Sequence, residues 1–370
     1  MGLGHLVLTC GPPGGIKAIA MTNWFQSVQT LLKARPPAAS YEVGDFTAKD
    51  APGVVQLFRD AFGDAYPLAM MTDAAQLIRE NRAGRALSTV ARSSKGEVAG
   101  HAAFYQSAPC DRLLEWGALL ISPAPGVPED LASRILDHGI ERASRSSRIL
   151  GVFAETMAHL PELQAAFLRR GLKPTALAVD STPAPIPEEE PDEDPGPDRV
   201  STVLAFRCFQ PGDHQTVYLP YLYRNEMQTL YEGFEAERTF VWAKKPGYQG
   251  EQTRARLVVF ADAGVGRIVA DRMGADFEMV LARLQAQALE KRLVVIQLWL
   301  PLNTPDTVAA IEAARFDGYF LGGLLPNWFR TDAILLQRVL GAPDWNWNQM
   351  PDAAGKLLAE LVRDDWRRVS

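Results

Sequence analysis

The chain has 370 residues, 47% of them apolar and 22% charged, which is the composition of a globular protein long enough for two domains. Its net charge of −6 comes from residues 181–200, where seven acidic residues face a single arginine. The rest of the chain has no net charge, which argues against a basic surface for a nucleic acid. No apolar run reaches the roughly 20 residues that a membrane-spanning helix needs.

The first forty residues contain a turn-rich glycine and proline stretch and predict a segment outside the main fold. From Tyr41 the pattern becomes regular. The strand Tyr41–Phe46 leads into a helix that begins at Asp50-Ala51-Pro52, with the aspartate predicted as its cap. A helix, a hairpin and a further strand follow: Asp73–Asn81, Ala86–Arg92 with Glu97–Gln106, and Arg112–Ile121.

Two stretches share one order of elements, which indicates an internal repeat. In each, a helix, an apolar strand and a second helix lead through a glycine into another strand. The first stretch comprises Leu131–Ala143, Ile149–Ala154, Glu162–Arg170 and Thr175–Val179. The second comprises Phe277–Glu290, Leu293–Leu300, Asp306–Arg315 and Phe320–Leu325.

The region between these stretches starts with an acidic, proline-rich run over 181–199, which predicts a disordered loop. The later elements are predicted as a strand, a helix, a hairpin, a closing strand and a C-terminal helix: Val200–Phe209, Tyr218–Phe234, Arg254–Ala261 with Gly266–Arg272, Ala333–Leu340 and Asp352–Arg368. We therefore predict an N-terminal segment over 1–40, one domain over 41–210, a second over 216–340 and a C-terminal helical region over 341–370.

This order of elements resembles the Gcn5-related N-acetyltransferase (GNAT) fold. The resemblance rests on the entry Tyr41–Phe46, the hairpin Lys95–His101, the strand Leu113–Ile121 and the helix end Phe167–Leu172. Residues 216–340 are similar in order and weaker in motif. The resemblance implies an α/β (α+β) chain of two tandem GNAT-like lobes, each a mixed, mostly antiparallel sheet flanked by helices.

In that family an acyl-CoA lies where the fourth strand splays from the fifth, and a glycine-rich loop at a helix N-terminus holds its pyrophosphate. The resemblance implies cofactor contacts at Ile121, Gly126, Val127, Leu131 and Gln164. The first loop departs from the family pattern, because it has one glycine followed by Glu129 and Asp130. The second loop likewise has one glycine, Gly274, followed by Asp276. We expect these carboxylates to cap their helices and fill the anion sites.

The resemblance also implies catalytic positions. Glu115 on the fourth strand matches the general base of many members, and its alternative is a residue that points to solvent. Burial among apolar neighbours would raise the pKa of Glu115. Tyr66, Tyr105 and Glu155 are candidates for an acceptor pocket, and both tyrosines are alternatively core or rim residues. The family's tyrosine proton donor is missing, since Phe167 stands at that position in the first copy and Ala314 in the second.

The sequence thus predicts an N-acetyltransferase that moves an acetyl or acyl group from acyl-CoA to a small-molecule or peptide amine. The alternative is a non-catalytic tandem protein with a ligand-binding, regulatory or scaffold role. Four late tryptophans favour a homodimer or protein partner: Trp328, Trp345, Trp347 and Trp366. The scattered cysteines and histidines indicate no metal site, and without a recognisable secretory signal we expect a cytoplasmic protein without nucleic-acid or membrane partners.

Overall fold

The computed structural model describes residues 41–63, 66–124, 126–184, 197–234, 237–243, 247–250 and 252–369. The segment predicted over 1–40 and residues 185–196 of the acidic loop predicted over 181–199 lie outside these described residues. The predicted bounds of that loop are too wide, because residues 181–183 and Arg199 belong to two strands that pair with each other. The described chain divides into two compact units. The first contains 41–155 and 165–171, and the second contains 156–164, 172–184 and 197–369.

The first unit is built on five strands with helices on both faces. The elements in chain order are β1 (Tyr41–Asp45), α1 (Ala51–Phe62), α2 (Ala74–Arg82), β2 (Ala86–Ser93), β3 (Val98–Tyr105), β4 (Leu113–Ile121), α3 (Leu131–Ser144), β5 (Gly151–Met157) and, after it, α4 (Pro161–Leu168). Strands β1 to β4 pair antiparallel in sequence order, and β5 then pairs parallel with β4.

Alternation of side chains along β3 separates two apolar cores. Ala103 and Tyr105 belong to the core that α1 and α2 cover, whereas Phe104 packs on the opposite face, where α3 lies. Helix α1 joins its core through apolar residues at helical spacing, including Phe58. Asp50 does not cap this helix as predicted, because its carboxylate accepts hydrogen bonds from Arg92 at 2.7 Å instead.

The second unit contains two more strands of the first copy and all of the second copy. The elements are β6 (Lys173–Pro183), β7 (Arg199–Cys208), β8 (Gln215–Pro220), α5 (Arg224–Tyr231), β9 (Arg238–Ala243), β10 (Arg254–Phe260), β11 (Val265–Arg272), α6 (Phe277–Glu290), β12 (Val295–Pro301), α7 (Asp306–Phe316), β13 (Phe320–Leu325), β14 (Ala333–Val339) and α8 (Ala353–Val369). The sheet order is β7-β6-β13-β14-β12-β11-β10, and β8 and β9 form a separate parallel pair.

The predicted fold class is confirmed. From β1 to β7 the first copy follows the expected order, and β4 is the strand that runs parallel to β5. From β10 to β14 the second copy repeats that order, again with one parallel pair, β11 and β12, in a sheet that is otherwise antiparallel. The chain is therefore an α/β protein with two tandem GNAT-like copies.

The helix predicted over Tyr218–Phe234 is wrong at its start. Residues 215–220 form β8, in which side chains alternate between buried and half-buried before Pro220 ends the strand. Helix α5 begins only at Arg224, after a 3-10 turn. Strand β9 was not predicted, although its outer side chains Thr239 and Val241 alternate with half-buried neighbours as in a strand with one exposed face. Over the described ranges, no helix has the length and apolar character needed to cross a membrane.

Candidate functional site

Strands β4 and β5 pair over only three residues. Leu113, Leu114 and Glu115 lie opposite Gly151, Val152 and Phe153, and the parallel ladder ends there. Strand β4 continues to Ile121 and β5 to Met157. The two strands therefore part immediately after Glu115 and leave a gap between their carboxyl-terminal halves.

A bulge in β4 accompanies this gap. Gly117 lies opposite Ala103, but Leu120 lies opposite His101, so that two residues of β4 face one residue of β3. One of the two, Ala118, has a φ of 50°, in the left-handed region that alanine rarely adopts. Its carbonyl oxygen lies 3.0 Å from Nδ1 of His101. A bulge bends and twists its strand, which accounts for the departure of β4 from β5.

Glu115 is buried at the end of the ladder, with 1% of its surface exposed. Its alternative as a solvent-facing residue is therefore wrong. The hydroxyl of Tyr105 donates a hydrogen bond to Oε1 of Glu115 at 2.7 Å. Gly117 makes room for this contact, because a Cβ atom at that position would lie 2.8 Å from the Tyr105 hydroxyl oxygen. The carboxylate is thus held in one orientation by a phenol from the neighbouring strand.

The other acceptor candidates lie near this pair in different ways. Tyr66 is half-buried and packs on Phe58 and Phe62, with ring centroids 4.7 and 4.9 Å apart, in the same core as Tyr105. Glu155 is half-buried on β5, two residues beyond Phe153, the last paired residue of that strand. Tyr66 and Tyr105 thus share the core under α1 and α2, and Glu155 follows the point where the ladder ends.

The candidate cofactor residues differ in what they can offer a ligand. Ile121 and Leu131 are buried in the core beneath α3, and Val127 packs against it, so ligand contacts there would come from the main chain. Gly126 is exposed and has a φ of 85°. Asp130 is exposed and makes no side-chain hydrogen bond to α3, so the predicted cap is wrong. The N–H of Leu131, the first residue of α3, donates instead to the carbonyl of Pro128 at 3.1 Å.

One carboxylate, one amide and one phenylalanine complete the description of this copy. One buried carboxylate oxygen of Glu129 has no hydrogen-bond partner among the described residues. The amide of Gln164 donates to the carbonyls of Ala158 and Gln349, both at 3.1 Å, which commits its nitrogen to the main chain. Phe167 packs edge-on against Trp116 with ring centroids 5.1 Å apart and has no proton to donate.

The second copy carries different chemistry at the equivalent strands. Strands β11 and β12 pair over five residues, from Val265 opposite Val295 to Val269 opposite Trp299. Arg267 occupies the third position of this ladder, as Glu115 does in the first. Its guanidinium donates to Oε1 of Gln297 at 2.9 Å and stacks on Trp299 at 3.5 Å from the ring centroid. A permanently charged guanidinium cannot act as a base.

The loop before α6 is covered by another part of the chain, which we call the covering loop (residues 247–250, 252 and 253). The backbone N–H of Gly274 donates to Oγ1 of Thr253 at 3.0 Å, and that of Ala275 donates to the carbonyl of Gly250 at 2.9 Å. The carboxylate of Asp276 accepts from the N–H of Thr253 at 2.6 Å and does not cap α6.

The loop before α6 is therefore filled by the chain itself rather than by helix-capping carboxylates. Gly250 allows the close approach, since a Cβ atom there would lie 3.3 Å from the carbonyl oxygen of Met273. This contact could not be predicted from the sequence, in which only the glycine pair at 247 and 250 marks the covering loop. Sequence reasoning also missed His101, whose role depends on strand register. Among the described residues, no cluster of potential metal ligands is present.

Several solved structures are similar to one part of this chain. An acetyltransferase of the GNAT family from Streptococcus pneumoniae is 15% identical, with a TM-score of 0.37, over 46% of this chain and 99% of its own. An N-acetyltransferase from Staphylococcus aureus Mu50 is 13% identical, with a TM-score of 0.36, over 46% and 100%. The spermidine/spermine N-acetyltransferase SpeG of Vibrio cholerae is 8% identical, with a TM-score of 0.33, over 46% and 92%.

No family model matches the sequence, and no curated protein matches it either. Because the identities and TM-scores of the similar structures are low, the GNAT-like fold rests on the strand order and pairing of this chain. The activities, substrates and assemblies of those proteins belong to them alone.

Proposed function

We propose that the first copy is an acyl-CoA-dependent N-acyltransferase that acylates an amine in the gap between β4 and β5. The observation that carries this proposal is the end of the parallel ladder at Glu115, where a buried carboxylate meets the opening between two strands. An acyl-CoA bound there supplies the activated acyl group. The acceptor is a small-molecule or peptide amine.

Glu115 is the proposed general base. An amine is protonated at neutral pH, and it becomes a nucleophile only after it loses a proton. The Glu115 carboxylate accepts that proton, while the hydroxyl of Tyr105 fixes its orientation through the 2.7 Å hydrogen bond. Tyr66 and Glu155 are proposed to border the acceptor, the first from the aromatic side and the second from β5. Fixing the base in advance reduces the reorganisation needed when the proton moves.

The residues before α3 fit a pyrophosphate in part. Gly126 supplies a left-handed turn, and Asp130 does not cap α3, so we propose that the first-turn N–H groups beyond Leu131 face the anion; the N–H of Leu131 itself donates to the carbonyl of Pro128 at 3.1 Å. Ile121 would contribute main-chain contacts, and Gln164 would contribute through its side-chain carbonyl oxygen. Val127 and Leu131 would contribute through main-chain atoms other than their N–H groups, which already donate to the carbonyls of Ala124 and Pro128. Glu129 and Asp130 oppose an anion by like charge. We therefore expect acyl-CoA binding that is weaker than a loop without these acids would give.

The second candidate function, a non-catalytic binding or regulatory role, is favoured for the second copy. Arg267 stands where a base is needed, and the covering loop takes the N–H groups of Gly274 and Ala275. We propose that this copy has a structural or partner-binding role. Of the four tryptophans suggested as a partner surface, Trp328 is buried, and Trp345 packs on Trp366 at 5.5 Å.

Direct binding separates the two functions. Isothermal titration of the purified chain with acetyl-CoA is expected to show one site per chain, and release of free CoA with a panel of primary amines is expected to identify an acceptor. Under this proposal, saturating ligand also raises the melting temperature, because only the folded state binds it. Absence of heat, thermal shift and CoA release at millimolar acetyl-CoA would leave the non-catalytic role as the function of both copies.

A further inference from the structure

His101 is a buried histidine that the proposed reaction does not use. It lies on β3 with no exposed surface, and its ring meets Phe58 edge-on at 5.6 Å between centroids. Its Nδ1 atom lies 3.0 Å from the carbonyl oxygen of Ala118. Because a carbonyl oxygen can only accept, Nδ1 must carry the proton. The other ring nitrogen, Nε2, has no hydrogen-bond partner among the described residues.

The carbonyl that His101 contacts belongs to the bulge of β4. Ala118 has a φ of 50°, and the register shift places Ala118 and Leu119 opposite one residue of β3. A bulged residue leaves the regular ladder, and its backbone groups need other partners when they are buried. Since β5 no longer pairs with β4 beyond Glu115, the imidazole supplies the partner that a strand would otherwise provide.

We propose that His101 is a positioning residue of the candidate site. By donating from Nδ1 to the Ala118 carbonyl, it holds the β4 bulge and with it the main chain that borders the gap between β4 and β5. This inference rests on the proposed function, because it takes that gap to be the place where acyl-CoA binds. His101 itself touches no reacting atom in this account.

A pair of substitutions tests the hydrogen bond itself. In His101→Asn, the side-chain amide nitrogen takes the place of Nδ1 and can still donate to the carbonyl, whereas His101→Leu fills similar space without a donor. We expect His101→Leu to weaken acetyl-CoA binding about tenfold in titration calorimetry. The asparagine variant is expected to stay close to the wild-type affinity. Equal losses in the two variants would overturn the inference.

Val90→Ala is the matched control for damage to the core. Val90 lies opposite His101 on β2, is fully buried in the core beneath α1, and removal of its methyl groups leaves the Ala118 carbonyl bonded. We expect it to lower the melting temperature while acetyl-CoA affinity stays unchanged. If Val90→Ala weakened binding as much as His101→Leu, core stability rather than the hydrogen bond would explain the effect.

Hydrogen exchange gives a readout that needs no ligand. Peptides covering 116–121 are expected to exchange faster in His101→Leu than in wild type or His101→Asn. Unchanged exchange in His101→Leu overturns the inference alone, with the proposed function intact. A wild-type chain that binds no acetyl-CoA refutes the proposed function and the role of His101 in it, even where exchange shows that the bulge is held.

Discussion

The two copies place opposite charges at the same position of the same ladder. Counting from the start of the parallel pairing, Glu115 is third in the first copy and Arg267 is third in the second. The carboxylate marks the end of a short ladder, while the guanidinium lies inside a longer one and stacks on Trp299. The same arrangement of strands thus holds a buried carboxylate where a short ladder ends in one copy and a buried guanidinium inside a longer ladder in the other.

The loops that precede α3 in the first copy and α6 in the second also differ. In the first copy the amino terminus of α3 has no side-chain cap, whereas in the second the N–H groups of Gly274 and Ala275 are bonded to the covering loop. A backbone N–H that already has a buried partner gains little from binding an anion. Under the proposed function, the second copy therefore keeps the GNAT-like fold without either the buried carboxylate or the uncapped loop of the first copy.

The largest effect is expected from Glu115→Gln. Glutamine keeps the shape of the side chain and can still accept the hydrogen bond from Tyr105, but it cannot take a proton from an amine. We expect the rate of CoA release to fall at least about 100-fold, with melting temperature and acetyl-CoA affinity little changed. Steady-state kinetics with an identified acceptor measures the rate.

Glu97→Gln is the control, since it removes the same charge from an exposed turn of the same sheet. It should leave the rate unaltered. If Glu115→Gln retained full activity, the base would lie elsewhere, and the ladder position would lose its significance in both copies.

The unfolding free energy of the first unit is expected to fall at acid pH because of His101. Burial lowers the pKa of His101 to about 4 from its ordinary 6.5. The unfolded chain therefore takes up a proton at this residue before the folded chain does. Stability is complete above pH 6.5 and falls as the pH drops toward 4, by up to about 3 kcal/mol. Denaturant unfolding of wild type and His101→Asn, at about three pH values between 7 and 4, measures this loss of stability. If the unfolding free energies of the two proteins changed in the same way with pH, the prediction would be contradicted.

In the second copy the corresponding strand pair has its bulge at an exposed edge. The register of β10 and β11 shifts beside Asp271, which Arg254 and Arg256 contact from the neighbouring strand. All three side chains are substantially exposed, so solvent and salt screen these pairs. Asp271→Asn should therefore change stability far less than protonation of His101 does. A smaller stability change in Asp271→Asn would show that the exposed bulge of the second copy depends less on its side-chain partners than the buried bulge of the first.

For Arg267→Met we expect the opposite result to Glu115→Gln: a loss of stability without a loss of activity. Methionine fills much of the space of the arginine stem but loses the hydrogen bond to Gln297 and the stacking charge over Trp299. We expect a loss of about 2 kcal/mol of unfolding free energy with CoA release unchanged. Denaturant unfolding and the same kinetic assay measure the two quantities. A fall in rate without a fall in stability would show that the second copy takes part in the reaction.

Local sequence patterns predicted most elements because apolar spacing records which face of a helix or strand is buried. The helix around Val54 and Phe58 follows from that spacing, and the strand predicted over Arg112–Ile121 lies within one residue of the observed β4. The helix predicted from Tyr218 was wrong at its start because the three apolar residues of β8 before Pro220 (Val217, Tyr218 and Leu219) are too few to distinguish the period of a strand from that of a helix. Short apolar segments remain ambiguous for this reason.

The site was predictable only as far as residue types and family resemblance reach. Glu115 could be proposed from its place on a strand, but its partner Tyr105 depends on the register of β3 against β4. Side-chain partners distant in the sequence explain the failed caps. Asp50 binds Arg92, 42 residues away, and Asp276 binds the main chain of Thr253, 23 residues away. Capping rules consider only the helix that follows the residue in the sequence, so they cannot predict such distant partners.

The smallest effect is expected at the acids that precede the two helices. Asp130 is exposed and bonded to no N–H of α3, so Asp130→Asn removes a charge that opposes the pyrophosphate without removing a cap. We expect acetyl-CoA affinity to rise about two- to fivefold at low salt and the gain to shrink as salt is added.

Asp276→Asn is the matched change in the second copy. It should leave acetyl-CoA affinity unchanged and lower the melting temperature, because the Asp276 carboxylate accepts a hydrogen bond from the N–H of Thr253. Weaker binding in Asp130→Asn would mean that this carboxylate assists the ligand, and the open loop of the first copy would then need another explanation.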